Sequence, residues 1–398
     1  MKEYRLGDII DIKHGYAFDG EHIVQDDNGI VLVTPGNFRI GGGFQEEKCK
    51  FFTGEIPDEF ILSSGDFIVT MTDLSKEIDT LGYSAIVPES SRTYLHNQRI
   101  GLVTFKNNEC YPGYIYFLMR THLYQRSIAN TSTGATVHHT SPTKIYDYRF
   151  VAPSYEEQQR IAEYLFSYER LIENNQKQIK MLEEAAQRLY KEWFVDLRFP
   201  GHETTPIVDG VPEGWSVESM DDIAEYINGY AFKPSDWGTS GKPIIKIKEM
   251  GLGVTSDTPR NSGENIPEKY NITAGDILFS WSATLSAMIW DEEDGLLNQH
   301  LFKVIPREGI SREFVLQSIL KTLDEFSNLT TGSTMKHIQR GKLKEVKVNV
   351  PSDELMMLYK NISEPIREQI LNVKRQMILL REARDRLLPK LMSGKLEV

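Results

Sequence analysis

Two stretches of this chain carry similar polar donors in the same order. Thr133-Gly134-Ala135-Thr136 is followed by His138, His139 and Lys144, and Thr331-Gly332-Ser333-Thr334 by Lys336, His337, Arg340 and Lys342. Hydroxyls and lysines suit phosphate oxygens, whereas Arg and His also reach the edges of bases. Thr136, His138, His139, Lys144, Thr334, Lys336, His337, Arg340 and Lys342 are therefore the first candidates for contact with nucleic acid. A turn capped by its own Ser and Thr side chains is the plainer account of any one of them. A second set, Thr72, Asp73, Lys76, Trp281 and Ser282, comes from the segments that differ most between the two halves. Trp281 among these is a residue type more often packed than presented. Arg39, Lys48 and Lys50 read as solvated charges, and Gly15 and Gly229 as positions that the backbone requires.

Nothing beside these loops supports covalent or metal chemistry. Gly241-Lys242 and Gly341-Lys342 lack the preceding glycine of a phosphate-binding loop. Nucleophile elbows, kinase signatures, zinc-deaminase patterns and HExxH are missing, as are the Asn-Pro-Pro-Tyr and Asp-Pro-Pro-Tyr segments of adenine methyltransferases. Only two cysteines, Cys49 and Cys110, are present, which excludes a disulfide scaffold or a Cys-rich zinc site. No catalytic residue, metal or cofactor is expected in the chain. Together these absences favour a binding protein.

Composition is that of an ordinary globular protein: 398 residues, 40% hydrophobic and 26% charged. That length carries two or three domains. No apolar run approaches the roughly 18 to 20 residues of a membrane span. The polar start, Met1 to Asp8, lacks the apolar core of a signal peptide, so a cytoplasmic protein is expected. The net charge of -12 argues against a uniformly basic nucleic-acid-binding domain. Any contact with DNA must come from local patches.

An internal repeat organises the elements that position these loops. Gly15-Tyr16-Ala17-Phe18 returns as Gly229-Tyr230-Ala231-Phe232, and Ser64-Gly65-Asp66-Phe67-Ile68 as Ala274-Gly275-Asp276-Ile277-Leu278. Asn97-Gln98 returns as Asn298-Gln299, and Pro153-Ser154 as Pro351-Ser352. Beyond that point the register no longer slips: Leu182, Glu184, Ala185, Arg188 and Leu189 match Leu380, Glu382, Ala383, Arg386 and Leu387. A globular unit followed by a long helix has been duplicated.

Ile30–Val33, Phe67–Val69, Ile100–Val103 and Ile244–Ile247 read as strands, and Gly41–Gly43 as a loop. Tyr114–Leu118 and Phe314–Leu316 read as short buried helices, giving strand-rich α+β units. After Pro153, Ile161, Leu165, Tyr168, Ile172, Asn175, Ile179, Leu182, Ala186, Leu189 and Trp193 recur at spacings of four and three. Ile366, Ile370, Val373, Met377, Leu380, Arg384, Leu387 and Leu391 repeat the pattern. Each is an a/d seam, and two copies in one chain point to an intramolecular pair. The first seam spans about 48 Å at 1.5 Å per residue. Pro365 is expected to start or break the second helix, and Pro389 to fray its end. Tyr190, Trp193 and Phe194, with Leu388 and Met392, look left over once a two-helix seam is filled. They are candidates for docking a partner, with packing on the chain's own domains as the alternative.

Alternating globular units and heptad helices resemble the specificity subunit of type I restriction-modification systems. The likeness rests on Leu6-Gly7-Asp8-Ile9, the repeated Gly-Tyr-Ala-Phe, Gly275-Asp276-Ile277-Leu278 and Asn298-Gln299-His300-Leu301. Glu157-Gln158-Gln159-Arg160-Ile161-Ala162 and Leu387-Leu388-Pro389-Lys390-Leu391-Met392-Ser393-Gly394 extend it along the helices. The resemblance implies two target recognition domains, 1–153 and 199–351, joined by helices 154–198 and 352–398 that form an antiparallel coiled coil. It further implies double-stranded DNA, two methyltransferase subunits carrying S-adenosylmethionine, and translocating restriction subunits as partners. Because the halves differ, the implied target is an asymmetric bipartite sequence. Two rivals are a recognition module tied to a single-chain methyltransferase-nuclease and a scaffold with duplicated protein- or glycan-binding units.

Overall fold

The computed structural model describes residues 1–75, 77–134, 136–255, 257–282, 284–328 and 340–397. Two compact units emerge, Met1–Glu173 with Ile378–Val398, and Asn174–Met377.

The first unit contains a four-stranded antiparallel sheet in the order Ile10–His14, Ile100–Phe105, Phe67–Thr70, Ser84–Ile86. Beside it lies a five-stranded sheet in which Ile30–Val33 runs parallel to Thr93–His96. Val31, Leu32 and Val33 are fully buried, as expected for a short strand without polar alternation. The helix Pro112–Leu118 opens on a proline whose missing N–H costs nothing at that position, and Tyr114 to Leu118 are all buried, so the helix is covered on every side.

The second unit repeats this order. Its four-stranded sheet runs Ala224–Asn228, Leu301–Pro306, Ile277–Ser280, Ser286–Ile289, and Lys242–Ile245 lies parallel to Gly295–Leu297. Even single bridges recur, Tyr16 with Asn97 and Tyr230 with Asn298. A Cβ on Gly15 would collide with the His96 and Asn97 carbonyl oxygens, and one on Gly229 with the Asn298 carbonyl. Both glycines are therefore fixed by the close approach of two backbones, as the repeat implied.

The long helices are Tyr155–Tyr190 and Asp353–Met392. Their seams face inward as the heptads predicted. In the first unit Ile161, Leu165 and Leu391 are buried together. In the second, Ile179 packs on Ile370 and Val373, with Leu182, Ile366 and Met377 around them. Glu183 pairs with Lys374 and, ten residues on, Trp193 packs against Tyr359, so the two helices run antiparallel in this unit. Asn175 is buried in the seam.

Two local expectations are corrected. The stretch Ile244–Ile247 is not one strand: it ends at Ile245, and Ile247 opens the helix Ile247–Leu252, whose Glu249 accepts the Lys246 N–H at 3.1 Å. Pro365 neither starts nor breaks its helix, which continues to Met392 through Pro389 as well. Pro365 and Asn361 are exposed, so the carbonyl that loses its helical donor can be met by water.

Candidate nucleic-acid interface

The first unit brings part of both candidate loop sets together. Thr72–Asp73 pairs antiparallel with His138–His139, and Thr72 Oγ1 lies 3.1 Å from His139 Nδ1. Thr133 and His139 exchange backbone bonds, and Thr140 N–H donates to the Met71 carbonyl. The result is a two-residue ribbon with Thr136 and His139 exposed and His138 half-buried.

Asp73, a candidate contact in the sequence, organises its own loop from within. Its buried carboxylate accepts the Ser75 N–H at 2.6 Å, the Thr80 N–H and hydroxyl at 2.6 Å each, and the Leu81 N–H at 3.0 Å. Burial alone pushes this carboxyl up, but the bonds from Thr80 and Ser75 more than reverse that and hold it below the usual range. Thr72 is also buried, and Lys144 Nζ is bound to the Thr131 carbonyl. Lys76, Thr334, Lys336, His337 and the side chain of Arg340 lie outside the described residues. Lys342, in the short helix Arg340–Lys344, is half-buried and pairs with Glu345 at 2.7 Å.

In the second unit Ser282 is buried and Trp281 half-buried. The indole stacks obliquely on His300 and Phe302, both at 5.8 Å, and donates to Asn228 Oδ1 at 3.2 Å. The same backbone device holds both loops: Thr70 Oγ1 donates to the Thr72 carbonyl at 2.9 Å and Ser280 Oγ to the Ser282 carbonyl at 3.2 Å.

That correspondence exposes residues which the sequence reading missed. In the first unit the turn Asn97–Arg99 adjoins the end of Ile10–His14, with His14 opposite Gly101 and the Arg99 carbonyl accepting the Met71 N–H. His14, Gln98 and Arg99 are exposed there. The matching positions of the second unit hold Asn228, Gln299 and His300, with the Trp281 N–H directed at the His300 carbonyl. One frame thus presents His14 and Arg99 in one unit and Asn228, Trp281 and His300 in the other, over the buried Met71, Thr72 and Ser282. The signal was available in the repeat: Gln98-Arg99 becomes Gln299-His300 inside an otherwise fixed turn.

A family model described as the type I restriction modification DNA specificity domain matches residues 1–184 and 212–355. The chain belongs to that family. It is a specificity subunit, the non-catalytic member of a type I restriction-modification system, and its partners are DNA and the other components of that complex. The MjaIX specificity subunit of Methanocaldococcus jannaschii is 24% identical over 72% of this chain and 69% of its own length. The HindI specificity subunit of Haemophilus influenzae is 22% identical over 99% of each chain. Among solved structures, a type I S subunit from M. genitalium superposes with a TM-score of 0.57 at 14% identity, covering 98% of this chain and 95% of that one.

The five residues expected to dock partners of the specificity subunit are internal. Tyr190, Trp193 and Phe194 join the core of the second unit, with Phe194 4.8 Å from Tyr359 and 5.0 Å from Phe314, and the Tyr190 hydroxyl 3.0 Å from Ser318 Oγ. Leu388 and Met392 join the core of the first unit beside Leu6 and Tyr114. The two-helix seam is not their only available neighbour, because each helix end also packs on its globular domain.

Proposed function

We propose that each unit reads one half of an asymmetric bipartite DNA target and that the helices set the spacing between the halves. The observation that carries this reading is the repeated frame with unlike side chains. Arg99 and His14 offer donors suited to guanine, whereas the matching His300 and Asn228 offer a different set, with Gln98 and Gln299 common to both units. A scaffold that reads two half-sites needs a long spacer, and 36 and 40 helical residues extend for about 54 and 60 Å at 1.5 Å per residue.

Two methyltransferase subunits carrying S-adenosylmethionine, and translocating restriction subunits, complete the proposed assembly in the cytoplasm. No helix among the described residues is long and apolar enough to cross a membrane. Support for two equivalent partners comes from exposed apolar residues at matching repeat positions. Tyr164 and Ile362 are 39% and 44% exposed, and Met181 and Leu379 are 66% and 65% exposed. Each unit therefore offers one residue of each type, Tyr164 with Leu379 and Met181 with Ile362. Repetition of an exposed apolar pair marks a surface used twice.

Selection of random duplexes by the chain co-purified with its methyltransferase tests the reading. One gapped motif with unlike halves is expected. Enrichment of no motif by an intact complex would remove the DNA-reading assignment.

A further inference from the structure

The first unit holds a cluster of cations that its own carboxylates do not neutralise. Arg120 is buried and donates to the Gly41 carbonyl at 3.0 Å, the Tyr116 hydroxyl at 2.9 Å and Glu169 at 2.9 Å. Arg384 reaches the same Glu169 oxygen at 2.9 Å. These bonds hold the loop Gly41–Gly43 beside the second long helix. Arg39 belongs to that loop, with its N–H on the Gly43 carbonyl and its carbonyl on the Gly42 N–H. Arg381 lies one helical turn before Arg384 and is half-buried. It makes no hydrogen bond or ion pair among the described residues, and its charged neighbours are Arg39, Arg384, Glu47 and Asp385. Asp385 is already engaged by Arg384 at 2.7 Å. Burial first, then Arg39 and Arg384, hold the Arg381 guanidinium below its ordinary range.

An exposed arginine without a partner is ordinary; a half-buried one between two others is a place for an anion. Its surroundings decide which anion. Ile378, three residues before it on the same face, is an exposed apolar side chain, which suits a protein surface and not a phosphate backbone. The repeat adds a contrast. The position matching Arg381 in the second unit is Glu183, which is already within reach of Lys374 at 3.9 Å.

We infer that Arg381, supported by Arg39, is a socket for an aspartate or glutamate of the partner protein that docks on the helices of the first unit. This rests on the docking reading above and adds an asymmetry to it: the two otherwise equivalent partner sites differ by one charged anchor. The guanidinium takes the carboxylate through two parallel bonds, and removing it leaves that carboxylate buried and unpaired.

Native mass spectrometry and calorimetric titration of the full chain with its methyltransferase partner provide the test. Leu379→Ser and Met181→Ser first assign the two binding steps, one to each unit. Arg381→Ala is expected to weaken the Leu379-sensitive step by on the order of 10-fold or more, leaving the Met181-sensitive step unchanged. Arg381→Glu should weaken that step further and Arg381→Lys less. Thermal unfolding should be unaltered, because Arg381 leaves no intramolecular partner behind. If Leu379→Ser weakens one step and Arg381→Ala weakens neither, the socket is refuted while docking stands. If neither apolar substitution matters, the docking reading fails and the socket with it. Loss of DNA affinity in a fully assembled Arg381→Ala complex would assign the site to phosphate and overturn the inference.

Discussion

Replacing Glu169 by alanine removes the carboxylate on which the first unit's buried charges converge. Arg120, whose side chain is 2% exposed, and Arg384 both direct Nη1 at Glu169 Oε1 from 2.9 Å. Without it Arg120 keeps one carbonyl, one hydroxyl and the faces of Tyr116 and Phe117. Breaking a buried ion pair on one side costs about 3–5 kcal/mol, because the remaining charge stays desolvated. Glu169 itself is 23% exposed, so the lower end, about 3 kcal/mol, is expected. At about 2–4 °C per kcal/mol for a unit of this size, the first unit's melting temperature should fall by about 6–12 °C. Burial pushes the Glu169 carboxyl up, but Arg120 and Arg384 outweigh it and hold the group below its ordinary value. Stability from a depressed carboxylate is complete above the unfolded value near 4.5 and is lost as pH falls through the folded one. Scanning calorimetry between pH 7 and pH 3 should therefore show the gap between wild type and Glu169→Ala closing in acid. A fall of less than about 2 °C at pH 7, or a gap that widens in acid, would refute this reasoning.

Gly15→Ala and Gly229→Ala should each cost about 1–3 kcal/mol in denaturant melts, since the obstructing atoms are backbone carbonyls that cannot rotate away. Trp193→Ala should destabilise the second unit by about 3–5 kcal/mol; if it instead spares stability and abolishes partner binding, its placement in the core is wrong. Arg99→Ala should relax recognition in the first half-site only, by about 1–3 kcal/mol, read by competition with singly substituted duplexes. A uniform loss across all sequences would make Arg99 a phosphate contact.

The duplication was legible in short motifs because each marks a backbone constraint. Gly15 and Gly229 are forced by a carbonyl in the same place, and the strands Ile10–His14 and Ala224–Asn228 follow in step. The helical seams were legible because periodicity alone determines which face is buried. What escaped notice depended on distant partners. Asp73 is a candidate contact in the sequence, which does not show that Ser75, Thr80 and Leu81 fill its acceptor sites. Tyr190, Trp193 and Phe194 were correctly seen as requiring a neighbour, but sequence cannot say that Phe314, Tyr359 and Trp215 supply it. Arg99 was passed over because a turn residue gains its place only when Met71 and His14 are brought beside it.

Mapping of methylated bases across host DNA, with this chain and its methyltransferase partner co-expressed, bears most directly on DNA reading by two unlike units. One asymmetric gapped motif should be methylated, and exchange of residues 1–153 for those of a relative should change its first half alone. Methylation of no motif by an assembled complex, or a change in both halves on that exchange, would contradict it.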